Sequence, residues 1–279
     1  MNSNRFKDFF KNYSGNVDSA DNQFFWKLSD EIVLRIIKNY IPKNGCRGKV
    51  VLDAGGGTGR WIVKLNKIYK DCDFILFDNS DDMLAKAEQN FKKEGLLNNV
   101  KIIKGDLEKM DSVPNESADY AISIYNPISF LLSPQKMAGN LYRIIKKGGL
   151  AVVMGQNFFN ALTSKINSLA SVSEIKNTKR RHIVKWGAKV PELKVFSKET
   201  LEEIFKNSGF RDITSFGVPV FVQPGAEDFD SKNKKRSTIS KALENDPVFF
   251  KEVVEIEMAF NGLSSLVNKG MNILIVARK

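Results

Sequence analysis

The stretch best suited to chemistry on a nucleotide is Asp53-Ala54-Gly55-Gly56-Gly57-Thr58-Gly59. Gly55, Gly57 and Gly59 recur at every second position, so the backbone can turn sharply and approach a ligand where any Cβ would intrude. Asp53 ends the apolar run Val50-Val51-Leu52, of the kind a parallel sheet buries on both faces. Beyond Thr58, Trp61, Ile62, Leu65, Ile68 and Tyr69 keep helical spacing. Strand, glycine turn and helix form a unit that holds nucleotide cofactors. A dinucleotide fingerprint would place its third glycine at position 60, but Arg60 stands there and the glycine comes one place early.

The elements that must position this turn alternate strand with helix. Residues 73–78 (DFILFD) read as a second buried strand ending in Asp78, and Asn79, Ser80, Asp81 and Asp82 give the next helix a capped, acidic first turn. Residues 100–105 form a third strand before Asp106, residues 118–125 a fourth, and residues 150–154 a fifth. Ser133-Pro134 starts the helix that stops at Gly148-Gly149. Such repeats argue a doubly wound, mostly parallel α/β sheet with ligands at the carboxyl ends of its strands. N-terminal helices are expected over residues 1–44, where Phe6, Phe9, Phe10 and Tyr13 make one stripe and Phe24, Leu28, Ile32, Ile36 and Tyr40 another; the stripes either pack on the sheet, the blander reading, or form a lid over the cofactor. The α/β domain occupies 45–279, with cap insertions at 157–196 and 218–269. A helix is expected around Phe158 to Val172, then a basic stretch from Lys176 to Lys194. A long helix opens at Asp246-Pro247, and residues 272–277 (NILIVA) supply the last strand.

Taken together, the D-x-G-x-G-x-G turn, Asp78, Asp106 and the Gly148-Gly149 turn resemble the class I S-adenosylmethionine (SAM) methyltransferases. The segment from Ser197 to Ser215 and the ending NILIVARK are similar to that family's closing elements. The resemblance implies a seven-stranded Rossmann-like sheet, a SAM cofactor and S-adenosylhomocysteine as product. It implies that Asp78 accepts the ribose hydroxyls, that Asn79 and Met83 flank the adenine, and that Asp106 and the Leu107 backbone meet the ring edge. Gly55 and Gly57 would admit the methionine moiety, with Asp53 at the ammonium end. Tyr125-Asn126-Pro127-Ile128-Ser129 is partly similar to the Asn-Pro-Pro-aromatic motif of amino-methyltransferases, but the second proline and the aromatic are missing. Tyr125 is therefore expected beside the cofactor and Asn126 beside the acceptor.

The sulfonium is already a competent donor, so the protein must mainly position a nucleophile and supply a base where that nucleophile carries a proton. His182 is the single histidine and lies in the basic insertion, which makes it the candidate base; its bland alternative is a solvated loop histidine. Tyr13 and Trp186 join Asn126 as candidate acceptor contacts. The Phe, Trp186 and Val content of the insertions suits an apolar or aromatic small molecule, and Lys176 to Lys194 could hold an anionic group on it.

The formal net charge of +11 leaves a second class open, an RNA or protein methyltransferase using a basic surface, against a lysine-rich solvated surface. A catalytically silent SAM-binding protein is a third reading, and a nicotinamide dehydrogenase is disfavoured by Arg60. The chain lacks a run of about 18 apolar residues, so no spanning helix is expected. Its opening residues Met1-Asn2-Ser3-Asn4-Arg5-Phe6 hold no apolar signal core. Cys46 and Cys72 lack metal-ligand spacing, no metal is expected, and reduced thiols in a cytoplasmic setting are the default. No feature sets an oligomeric state.

Overall fold

The computed structural model describes residues 23–187, 190–229 and 237–279. The first aromatic stripe, Tyr13 included, lies outside them, as do the four basic residues Lys232, Lys234, Lys235 and Arg236 of the second insertion. Helix α1 (Phe24–Tyr40) buries Phe25, Leu28, Ile32, Val33, Ile36 and Ile37 on the expected stripe. These side chains join Trp61, Phe74, Leu76 and Leu274 in one core.

Strands β1 (Val50–Ala54), β2 (Asp73–Asp78), β3 (Val100–Lys104), β4 (Ala118–Ser123), β5 (Ile145–Gln156), β8 (Arg211–Val218) and β9 (Asn272–Arg278) make a seven-stranded sheet in the order β3-β2-β1-β4-β5-β9-β8. The first five are parallel, and β9 runs antiparallel to both β5 and β8. Helices α1 and α2 (Arg60–Asn66) cover one face, with α3 (Asp81–Glu94) also contributing Ala87 and Phe91 there. Helices α4 (Pro134–Ile144) and α7 (Lys198–Asn207) cover the other. The doubly wound α/β expectation holds, and the reversal of strand order falls between β1 and β4.

Helix α4 passes into β5 at Ile145, three residues before the glycine pair expected to stop it. Gly149 lies against the Asp119 carbonyl, where a Cβ would clash. The first insertion is two helices rather than one: α5 (Phe158–Asn167) and α6 (Val172–Arg181) are split at Leu169, whose φ is 52°. Ser171 caps α6 by accepting the Glu174 N–H, a local signal that outweighs continuing helical spacing. The stretch from Lys176 then continues this helix into a small ladder of β6 (Ile183–Val184) and β7 (Leu193–Lys194). In the second insertion, α8 (Thr238–Asn245) and α9 (Pro247–Phe260) pack on α1, and α10 (Ser264–Val267) leads into β9. Buried Glu257 of α9 accepts the N–H groups of Val220, Phe221 and Val222 at 2.8, 2.8 and 3.2 Å, tying α9 to the chain leaving β8.

Because β8 runs antiparallel to β9 and β9 antiparallel to β5, β8 ends at the same edge as β5. Both insertions therefore leave from the edge that carries the glycine turn. Cys46 and Cys72 form a disulfide, with Cα atoms 5.8 Å apart, where reduced thiols were expected. The strands on which they border bring them together across 26 residues, which sequence spacing alone could not show. Among the described residues, no helix is long and apolar enough to cross a membrane.

Candidate active site

The three alternating glycines are required for different reasons. Gly55 has φ +77° and donates its N–H to the Phe77 carbonyl at 2.7 Å; a Cβ there would collide with Pro127. Gly59 has φ +72° and packs against the Phe91 ring. Gly57 has φ +55°, and a Cβ on it would meet only Met83 Sδ, at 3.7 Å. Gly57 is thus the glycine whose face is open to a ligand. Its N–H donates to Asp78 Oδ2 at 3.0 Å, and the Ser80 N–H donates to Asp78 Oδ1 at 2.9 Å. Asp78 is fixed across the turn by these bonds while burial raises its pKa.

Asp53 is sealed at the carboxyl end of β1 and folds over Gly56. Its Oδ2 has no hydrogen-bond partner among the described residues. Burial first, and the Asp78 charge second, push its pKa up to about 8. Trp61 Nε1, Ser123 Oγ and Asn126 Oδ1 are likewise buried without partners. Ser123 ends β4, the strand paired with β1 through Asp53 and Ile122, and Asn126 follows it. Buried polar atoms are almost always satisfied, so unmet acceptors and donors where the strand order reverses suit a polar ligand. A partnerless carboxylate at the carboxyl end of β1, under the glycine turn, fits the ammonium end of SAM.

The remaining cofactor candidates are arranged less tightly. Met83 is buried beside Gly57, and Asn79 is exposed at the turn into α3. Asp106 is exposed and accepts the Glu108 N–H at 2.9 Å; Leu107 packs on the Gly55 side of the turn while its carbonyl accepts from Asn140 at 3.1 Å.

Tyr125 and Asn126 are consecutive left-handed residues, with φ 63° and 72°. Such backbone is costly for a tyrosine and persists where surroundings over-determine it. Here they do. The Tyr125 hydroxyl donates to Asp30 Oδ1 at 2.5 Å, and Trp26 and Trp61 lie 5.5 and 6.1 Å from its ring. Asp30 also pairs with Arg60, whose Nη1 lies 3.2 Å from Oδ1, and with Lys64 at 3.3 Å. Burial, then the Asp30 charge, raises the Tyr125 pKa well above its ordinary value. Asn126 donates to Asn272 Oδ1 at 3.0 Å, which fixes it to the start of β9.

Sequence reading missed Asp30 and the role of Arg60. The signal was present: Asp30 sits three and seven residues before Val33 and Ile37, on an apolar stripe where a carboxylate needs a cation. Arg60, which in the sequence marks only the absence of a glycine, is that cation.

His182 and Trp186 lie elsewhere in the site's surroundings. His182 is exposed, ends α6 in a left-handed conformation and stacks on Phe158 at 4.4 Å between ring centroids. It lines a cavity of about 370 Å³ with Pro134, Arg181, Lys194, Thr200 and Glu203, and none of Asp53, Asp78 or Tyr125 lines that cavity. Trp186 packs with Phe130 and Phe158 on the small core of the first insertion.

The sheet order, the glycine turn and the acids ending β1 and β2 are those of the class I SAM-dependent methyltransferase fold. Residues 51–149 match a family described as a methyltransferase domain. The chain is similar to a ubiquinone/menaquinone biosynthesis C-methyltransferase of Blochmanniella floridana, with 27% identity over 180 residues, 61% of this chain and 69% of that protein. It is similar to the chloroplastic 2-methyl-6-phytyl-1,4-hydroquinone methyltransferase 1 of Oryza sativa, with 34% identity over 108 residues, 39% of this chain and 31% of that protein. Among solved structures, a SAM-dependent methyltransferase of Thermotoga maritima described as a possible histamine N-methyltransferase superposes with a TM-score of 0.56. That match has 19% identity and covers 97% of this chain and 99% of the other. The chain spans about a third to two thirds of the two curated relatives' lengths.

Proposed function

We propose that the chain transfers the methyl group of SAM to an apolar aromatic small molecule of hydroquinone type. The bound cofactor supplies an electrophilic methyl on its sulfonium. The observation that carries the cofactor half is the partnerless Asp53 Oδ2 packed on Gly56 in the same turn whose Gly57 is open. Asp53 holds the ammonium end, Asp78 accepts the ribose hydroxyls, Asn79 and Met83 flank the adenine, and Asp106 with the Leu107 backbone meets its edge. The acceptor half is supported by the aromatic rings around Tyr125 and by the hydroquinone and quinone named for the relatives.

Tyr125 lines the cofactor side and, kept neutral by burial and by Asp30, orients rather than removes a proton. Asn126 and Trp186 contact the acceptor, and His182 is the base only for an acceptor that extends into the separate cavity it lines. Calorimetric titration with SAM, S-adenosylhomocysteine and NAD tests the cofactor: SAM and its product bind and NAD does not. Labelled methyl transfer to a short-chain 1,4-hydroquinone tests the acceptor class. Full turnover in His182→Ala would remove that residue from the reaction.

A further inference from the structure

The α5–α6 turn is apolar at its tip and basic behind it. Ile166, Leu169 and Val172 are 55%, 90% and 66% exposed, the most outward-facing apolar group of the first insertion. None of them belongs to the insertion's small core, which is built from Ala161, Val184, Leu193 and Val195. Behind the tip, Lys176, Lys179, Arg180 and Arg181 are all exposed. Val172, Lys176 and Lys179 are spaced four and three residues apart, so they share one face of α6. At 1.5 Å per residue the two lysines stand roughly 6 and 10 Å behind Val172. That is the depth over which an interfacial apolar element sinks below the headgroups, roughly 5–10 Å. Lys165 is not part of this set, because its ammonium is bonded to the Lys185 carbonyl at 2.6 Å and paired with Glu174. From residue 157 to 187 the single acid is Glu174, against six Lys or Arg residues.

The geometry points to this turn as a docking element for an anionic lipid bilayer surface, with Ile166, Leu169 and Val172 entering the interface and the α6 cations meeting phosphate headgroups. Charge complementarity selects the occupant: a net charge of +11 and a basic flank favour a polyanionic surface, and the exposed apolar tip separates a bilayer from a nucleic acid. Topology gives the docking a purpose. The insertion leaves the carboxyl end of β5, so the turn belongs to the edge that carries the cofactor turn. The inference deepens the lipophilic-acceptor reading and rests on it only for that purpose, since a bilayer would present such an acceptor at the edge where it reacts.

The test is flotation of the full chain with phosphatidylcholine vesicles and with vesicles containing about a third phosphatidylglycerol, without cofactor or acceptor. Binding is expected to the anionic vesicles alone and to fall as NaCl rises from about 0.1 to about 0.5 M, because salt screens the headgroup charges. Ile166→Asp/Leu169→Asp should abolish it. Lys176→Glu/Lys179→Glu/Arg180→Glu should weaken partitioning on the order of a hundredfold. All these positions are exposed, so unchanged melting and unchanged SAM titration are expected for both variants. No binding by the wild-type chain, equal binding to neutral vesicles, or binding indifferent to both variants overturns the inference. So does a dimer that dissociates in the tip variant without any vesicle binding, or binding to RNA but not to vesicles. Loss of vesicle binding with intact methylation of a short-chain hydroquinone would leave the proposed activity standing, and the reverse result would leave the docking standing.

Discussion

At the scale of single residues, Asp53 makes the sharpest predictions. An acid whose folded pKa lies near 8 rather than 3.8 binds an extra proton in the native state between those values. The ligand-free protein therefore loses stability as pH rises through that window, by at most about 1.4 kcal/mol per pH unit. Denaturant titrations at pH 5 and pH 8 should show this loss, and Asp53→Asn should flatten it. The ionised form is the one that holds an ammonium, so SAM affinity of the wild type should rise between pH 6 and 8. Asp53→Asn should bind SAM about 10- to 100-fold more weakly, the scale of a lost charge-assisted hydrogen bond, with that rise gone. The glycines separate ligand contact from packing. Gly57→Ala should cost only ~1–2 kcal/mol for its left-handed backbone and weaken SAM binding, whereas Gly59→Ala, which runs into Phe91, should lower the melting temperature more. Equal stability losses for the two would refute this division.

At the scale of elements, the attachment of α1 to the cofactor turn rests on a buried ion pair. Breaking it on one side by Arg60→Met should destabilise by ~3–5 kcal/mol, because the Asp30 charge is then left without its guanidinium. The double variant Asp30→Leu/Arg60→Met should recover much of that, and the denaturation midpoints of the two would decide it. Recovery of stability without recovery of turnover is expected, since the double variant removes Asp30, the anchor of the Tyr125 hydroxyl. Glu257 plays a similar part for the second insertion: it accepts three backbone N–H groups, so Glu257→Leu should loosen the segment 220–222, measured as faster amide exchange there.

At the scale of the whole molecule, ligand and fold are linked. S-adenosylhomocysteine at about 100 times its dissociation constant should stabilise the chain by ~2.7 kcal/mol, several degrees in melting temperature, while NAD leaves it unchanged. Much of this architecture was legible in the sequence. Apolar runs, alternating helices and the early third glycine specify the parallel strands and the turn, because those patterns follow from local backbone geometry and from which faces must be buried. Asp78 could be identified for the same reason, since a strand end fixes where its side chain emerges. What only the tertiary structure decided depends on groups distant in the chain. Asp30 meets Arg60 and Tyr125 across 30 and 95 residues. Gly57 is open while Gly55 and Gly59 are filled by Pro127 and Phe91. His182 lines a cavity with α4 and α7 rather than with the acids, because the turn of α6 and the β6–β7 ladder carry it there. Sequence pattern records what each segment must bury, and three-dimensional packing alone determines which buried charges find partners and which are left for a ligand.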